Sequence, residues 1–215
     1  MAKDKRILRS RFNVPGAAYV FEEFYKREVY LQGCEYISHP EIVECLSTIG
    51  KWLENPRGTA GLMLAGNPGN GKTTALHTIG RLISCSEQLD SNEEDCWGKP
   101  TSAYLNTYKA TKLQHYTIDD KEFNKLERKT LLAIDDFGIE PVEVMKFGNI
   151  YTPIIELLEY RYSGRLFTIL TTNLTPDVIR ERYGDRIADR FNEMMTVVAF
   201  PDVNFRTKEA IQSNG

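Results

Sequence analysis

Cysteine and histidine are scarce in this sequence, and neither is patterned. Four of 215 residues are cysteine and three are histidine. Cys34, Cys45, Cys85 and Cys96 form no C-x-x-C pair, and His39, His77 and His115 do not stand at zinc-ligand spacing from them. A zinc knuckle and a disulfide framework are therefore not expected; reduced thiols in packed positions are. Apolar runs are short as well, none approaching the ~20 residues that cross a bilayer, so no membrane partner is expected. The opening Met1-Ala-Lys-Asp-Lys-Arg6 is basic but no apolar signal region follows it, which makes the cytoplasm the expected location. Positive charge is also in short supply, the net charge being −3. Phosphate binding needs clustered Lys and Arg, so contact with nucleic acid would require a local basic surface or an assembled ring. What is present, 41% hydrophobic and 27% charged residues, is the make-up of one globular domain.

Along the chain, residues 1–16 read as a basic arm carrying Lys3, Lys5, Arg6, Arg9 and Arg11. Val20, Phe24, Val29 and Leu31 recur at helical spacing. Pro40 opens a second helix with Ile42, Val43, Leu46, Ile49 and Leu53 on one face, stopped by Asn55-Pro56. Short apolar strands are expected at 62–65, 102–106, 131–134, 166–170 and 196–200. Helices are expected after the loop at 66–73 and over 111–128, 151–162 and 175–191. Residues 86–100 are acidic and read as a surface loop. This alternation predicts an α/β domain with a largely parallel sheet covered on both faces, whose ligands bind at the carboxyl ends of the strands.

Two motifs fall at such ends. Gly66-Asn67-Pro68-Gly69-Asn70-Gly71-Lys72-Thr73 fits G-x-x-x-x-G-K-[ST] between a strand and a helix. Its glycines permit backbone angles that a side chain would forbid, so the N–H groups of Gly69 to Thr74 can wrap a phosphate chain at a helix N-terminus. ATP is the expected ligand. Lys72 would reach the β- and γ-phosphates and the Thr73 hydroxyl would ligate Mg²⁺. Leu131-Leu-Ala-Ile134 ends in Asp135-Asp136. Asp135 is the expected second anchor for Mg²⁺, and Asp136 the group that orients or deprotonates the attacking water. A third strand ends in Thr171-Thr172-Asn173. Asn173 is either a polar amide that holds the attacking water or a cap for the helix beginning near Pro176.

From about residue 37 to 206 the chain resembles the AAA+ ATPases of the DnaC/DnaI helicase-loader and IstB transposition-helper group. The resemblance rests on Gly66–Thr74, Leu131–Gly138, Thr171–Leu174, Tyr183-Gly-Asp-Arg-Ile-Ala-Asp-Arg-Phe191 and Asn204-Phe-Arg206. It implies a P-loop NTPase core with five parallel strands between helices, preceded by an arm over 1–36 and followed by a tail over 207–215. No C-terminal helical lid is expected. It also implies an ATP site completed by a neighbouring copy, with Asn173 as γ-phosphate sensor and an arginine acting in trans, Arg190 first and Arg186 second. Either arginine alternatively pairs with Asp185 or Asp189. Arg206 would sense nucleotide within its own subunit or form a structural salt bridge.

The function this resemblance implies is a DNA-replication accessory, a helicase loader working through ATP-dependent homo-oligomerisation, with an IstB-like transposition helper as the alternative. The partners would be a replicative helicase or a transposase, and DNA, single-stranded in the first instance. Lys109, Lys112, His115 and Lys121 are candidates for the DNA contact, although Asp119, Asp120 and Glu122 interrupt them. A small-molecule kinase would use the same loop but adds a lid and an acceptor pocket. A non-hydrolysing assembly module would not need Asp136 and Asn173.

Overall fold

The computed structural model describes residues 12–89, 105–113 and 120–205. Helix α1 (Ala17–Leu31) and helix α2 (Pro40–Glu54) lead into the sheet. Proline opens α2, where its missing N–H is no loss. The helix ends at Asn55, held extended at ψ 110 by the proline that follows. Its buried face is Ile42, Cys45, Leu46, Ile49, Trp52 and Leu53, close to the pattern expected.

In α1 the buried stripe is Ala17, Phe21, Tyr25 and Glu28, whereas Leu31 is 55% exposed. The periodicity of Val20, Phe24 and Val29 marks only the flank of this stripe. The shift arises because α1 lies against two helices, α2 and α3 (Lys72–Leu89). Gly50 sets the approach: a Cβ there would stand 3.0 Å from the Ala17 carbonyl oxygen and 3.0 Å from the Ala18 Cα. Residues on both sides of position 36 pack in one core cluster.

Strands β1 (Gly61–Ala65), β2 (Asn106–Lys109) and β3 (Leu131–Phe137) are joined by β6 (Phe167–Thr172) and β7 (Met195–Ala199). Together they form a five-stranded parallel sheet in the order β2-β3-β6-β1-β7. Alternate residues serve two cores. Leu62, Leu64, Ala133 and Ile169 pack with α1, α2 and α3. Met63, Leu132, Ile134 and Leu170 pack on the other face with α4 (Ala110–Leu113), α6 (Pro153–Gly164), α7 (Pro176–Tyr183) and α8 (Asp185–Met194). Burial on both faces explains why these strands read as unbroken apolar runs. Arg161 of α6, 0% exposed, ties this layer together by donating to Thr168 Oγ1 and to the carbonyls of Glu127, Lys129 and Phe167.

Several expectations are corrected. The helix expected over 175–191 is two, because Gly184 turns the chain at φ 85. The second strand lies at Asn106–Lys109, a few residues later than expected, and residues 102–104 lie outside those described. The helix expected over 111–128 comprises α4 and α5 (Asp120–Glu127), with 114–119 outside the description. An antiparallel hairpin, β4 (Val144–Lys146) with β5 (Asn149–Tyr151), was not expected at all. Its two-residue turn, Phe147-Gly148, has φ 51 and 80, the positive pair that matches strand twist. Cys34 and Cys45 are free thiols, but Cys85 is disulfide-bonded, against the expectation of four reduced cysteines. Absence of a C-x-x-C pair excludes only a local bridge, since a disulfide depends on distance in space. Among the described residues no helix is long and apolar enough to cross a membrane.

Candidate nucleotide-binding site

The loop Gly66–Thr73 joins β1 to α3 at the carboxyl edge of the sheet. Gly71 sits at φ 96, and a Cβ on it would meet Tyr25 Oη at 2.2 Å, so both backbone angle and space require glycine there. Lys72 is buried and folded back into the loop. Its Nζ donates to the carbonyls of Gly66 at 2.6 Å and Asn67 at 2.7 Å and to Asn70 Oδ1 at 3.0 Å. Residues 200–205 brace the loop from the other side. The Phe200 amide donates to the Ala65 carbonyl at 2.8 Å and the Phe205 amide to the Gly69 carbonyl at 3.1 Å, and Asn67 Nδ2 donates to Asp202 at 2.7 Å.

Asp135 lies directly behind the loop, 2% exposed. Its Oδ1 accepts from Thr73 Oγ1 at 3.2 Å and from Thr171 Oγ1 at 2.6 Å. After Ile134 the register of β3 slips, and Asp136 takes φ 60, an uncommon angle for a side-chain-bearing residue. That kink turns Asp136 into the pocket, where its amide donates to Thr171 Oγ1 at 2.9 Å. Lys109, closing β2, donates to Asp135 Oδ2 at 2.5 Å and to Asp136 Oδ2 at 2.7 Å. Burial alone would push the Asp135 carboxyl up; Lys109, Thr171 and Thr73 together hold it below its ordinary value.

These groups line one pocket of about 890 Å³. Its lining joins Pro68 to Thr74, Lys109, Asp136 and Asn173 with the α1–α2 connection, including Tyr36 and Ile37, and with Tyr25 and Phe205, which both touch the loop. A phosphate-binding loop lining the same pocket as aromatic and aliphatic side chains has the chemistry of a nucleotide site. Thr73 and Asp135 offer the hard oxygen ligands that suit Mg²⁺. Among the described residues no three acidic, His or Cys side chains cluster as a self-sufficient metal cage. The residues therefore fit an ion that shares its ligands with phosphate and water, as Mg²⁺ does.

Of the expected site residues, Gly66 and Asn67 face Lys72 through their carbonyls, and Pro68 to Thr74 with Asp136 and Asn173 line the pocket. Asn173 does not cap α7; that role falls to Thr175, whose hydroxyl accepts the Val178 amide. Arg186 and Arg190 are on α8, away from the pocket lining. Both reach Glu159 of α6, at 3.0 and 2.9 Å, and Arg190 also lies 4.9 Å over the Tyr162 ring. It is Arg180 that takes Asp185 and Asp189. Arg206 and His115 lie outside the described residues. Lys109, read from sequence as a DNA candidate, is a member of the nucleotide site. Its position at the carboxyl end of the strand next to β3 is the signal that could have found it. Tyr25 and Phe205 were missed as well, and only their spatial approach to the loop reveals them.

A five-stranded parallel sheet in this order, with a phosphate loop after β1 and an acid pair at the end of β3, one strand removed across β6, has the P-loop NTPase fold of AAA+ type. No protein-family model matches the sequence, and no curated protein matches it. Solved structures do. The DnaC helicase loader aligns with a TM-score of 0.56 at 21% identity, over 77% of this chain and 93% of that one. DnaI aligns with a TM-score of 0.55 at 15% identity, over 84% and 94%. AMPPCP-bound DnaA from Aquifex aeolicus aligns with a TM-score of 0.51 at 15% identity, over 76% of this chain and 48% of that one. At these identities the likeness is one of fold.

Proposed function

We propose that the chain is an ATP-binding and ATP-hydrolysing accessory of DNA replication, a DnaC-like helicase loader that works through ATP-dependent assembly. The observation that supports the reading is the convergence of the phosphate loop, Asp136 and Asn173 on one pocket, within a fold shared with the DnaC helicase loader and DnaI. Lys72 exchanges its three loop acceptors for phosphate oxygens when nucleotide enters. Thr73 and Asp135 would hold Mg²⁺, which neutralises phosphate charge when bound. Asp136 takes the proton of the attacking water or orients it, and Asn173 holds that water against the terminal phosphate.

The arginine offered to a neighbouring copy is Arg186. Its side chain is 70% exposed, while that of Arg190 is 19% exposed and packed between Glu159 and Tyr162. Insertion of a neighbour's arginine stabilises transition-state charge and links hydrolysis to assembly, so the isolated chain hydrolyses ATP slowly. Hydrolysis then loosens the assembly, as in other γ-phosphate switches. The assembled form presents single-stranded DNA to its partner.

An ATP-trapped capture tests this. Asp136→Asn binds ATP but turns it over slowly, so with Mg²⁺ and ATP it retains the partner-competent state. A replicative helicase in the ATP-dependent fraction of host extract supports loading. A transposase in that fraction moves the chain to the transposition-helper role. Phosphorylation of a small acceptor, or no phosphate release with DNA and partner present, overturns the reading.

A further inference from the structure

Register places Lys109 of β2 beside Asp135 of β3. Paired residues on adjacent strands project to the same face, and the ammonium accordingly spans both acids, 2.5 Å from Asp135 Oδ2 and 2.7 Å from Asp136 Oδ2. The other oxygen of Asp135 faces the Thr73 hydroxyl. The ammonium thus shares Asp135 with the ligand set that a divalent ion in this site would use. The second ammonium of the site, Lys72, bonds to Gly66, Asn67 and Asn70 within the loop.

We propose that Lys109 is a tethered stand-in for the metal ion: its ammonium holds the two acids in place, and it must swing away when a divalent cation takes Asp135. The inference rests on the nucleotide-site reading and deepens it. A tethered competitor is present at a fixed, high effective concentration, so it lowers the affinity of Asp135 for metal below what the carboxylates would otherwise give. Metal entry with nucleotide then releases a positive side chain at the pocket wall, where Lys109 is already 48% exposed. A bound polyphosphate is the nearest anion for it there. Lys109 is a positioning residue for the acids in one state and a phosphate contact in the other.

Mn²⁺ used as a paramagnetic probe tests this on the full chain saturated with ADP. Free Mn²⁺ is read by electron paramagnetic resonance, and nucleotide binding is followed separately with a fluorescent ADP in EDTA. Removing a unit charge this close to the acids in Lys109→Met is expected to tighten Mn²⁺ by about tenfold or more. The same variant melts at lower temperature than wild type without metal and recovers when Mn²⁺ is added. Lys109→Arg, which keeps the charge, stays near wild type. Should Lys109→Met not fold, Lys109→Gln, which keeps a hydrogen-bond donor without charge, is read by the same criterion. Equal or weaker Mn²⁺ binding in the uncharged variant, with ADP binding intact, overturns the role of Lys109 and leaves the nucleotide site standing. Failure of wild type to bind the fluorescent ADP overturns both.

Discussion

Thr171 donates its hydroxyl to Asp135 at 2.6 Å, and the same oxygen accepts the amide of Asp136 at 2.9 Å. One side chain on β6 therefore fixes both acids on β3, including the residue held at φ 60. Thr171→Val keeps the shape and removes the hydroxyl, leaving a buried carboxylate oxygen and an amide short of a partner. The expected loss of stability is about 1–3 kcal/mol, measured by urea unfolding. ATP hydrolysis is expected to fall by at least about tenfold as Asp136 loses its aim. Fluorescent-ADP affinity should stay near wild type, because the phosphate loop is untouched. Thr171→Ser should recover most of both losses. A Val variant that hydrolyses ATP at the wild-type rate would remove Thr171 from the site.

Asp135 supplies a pH signature. Its carboxyl is held below the ordinary value in the fold, so its contribution to stability is fully present above the unfolded pKa of about 3.9 and is lost as pH falls through the depressed folded value. In metal-free buffer the stability difference between wild type and Asp135→Asn should be level from about pH 5 upward and shrink below about pH 4. Lys109→Met removes a partner that lowers this pKa, so its acid limb should be smaller and end at higher pH. Denaturant titrations across pH measure both, and a difference that grows on acidification would contradict the assignment.

The parts of the site that were legible in the sequence are those whose chemistry is local. The loop Gly66–Thr73 carries its own spacing, and an apolar strand ending in Asp135-Asp136 is a compact signal. Lys109 was visible only as one of several lysines, because its role depends on β2 lying beside β3, a fact of sheet order. Tyr25 reaches the loop from α1 across 46 positions of sequence, 71 minus 25, and no local pattern marks such an approach. The hairpin at 144–151 was missed for a different reason. Its strands are three residues each and pair only with each other, and Phe147 occupies a positive φ where Gly or Asn is the usual signal. The capping alternative for Asn173 fell because Thr175, two residues on, is the N-cap of α7 and accepts the Val178 amide.

Arg186 and Arg190 share Glu159 but differ in burial, which separates their expected phenotypes. Arg186→Ala leaves an exposed surface, so thermal stability should change by no more than about 0.5 kcal/mol. Basal hydrolysis by dilute protein should persist, and the stimulation seen on assembly should be lost. Arg190→Ala removes a cation stacked on Tyr162 and should lower stability by about 1 kcal/mol even in dilute monomer. Mixing each variant with Asp136→Asn protein gives the decisive readout. If the arginine acts in trans, Asp136→Asn subunits donate theirs to the variant's intact site and stimulated hydrolysis returns on mixing, whereas a loss caused by a structural role is not rescued. If Arg190→Ala alone abolishes stimulation while its melting curve is unchanged, the order of the two residues is reversed.

Gly71 and Tyr25 allow steric and conformational demands at the phosphate loop to be separated. A methyl group at position 71 would meet Tyr25 Oη at 2.2 Å but the ring carbon beneath it only at 3.5 Å, an ordinary contact. Gly71→Ala should therefore destabilise the protein through two causes, the clash and a backbone held at φ 96. Tyr25→Phe removes the clashing oxygen alone. In the double variant the steric part is relieved, so a measurable share of the stability should return, while the backbone penalty persists. Nucleotide affinity should not return, because the loop still cannot hold its N–H groups in the required arrangement with a side chain at that angle. Stability from urea unfolding and affinity from fluorescent ADP, measured on the wild type, both single variants and the double, close the cycle. Full recovery of both would mean that Gly71 is required only for space. Recovery of neither would mean that the backbone angle alone decides, and that the approach of Tyr25 to the loop adjusts without cost.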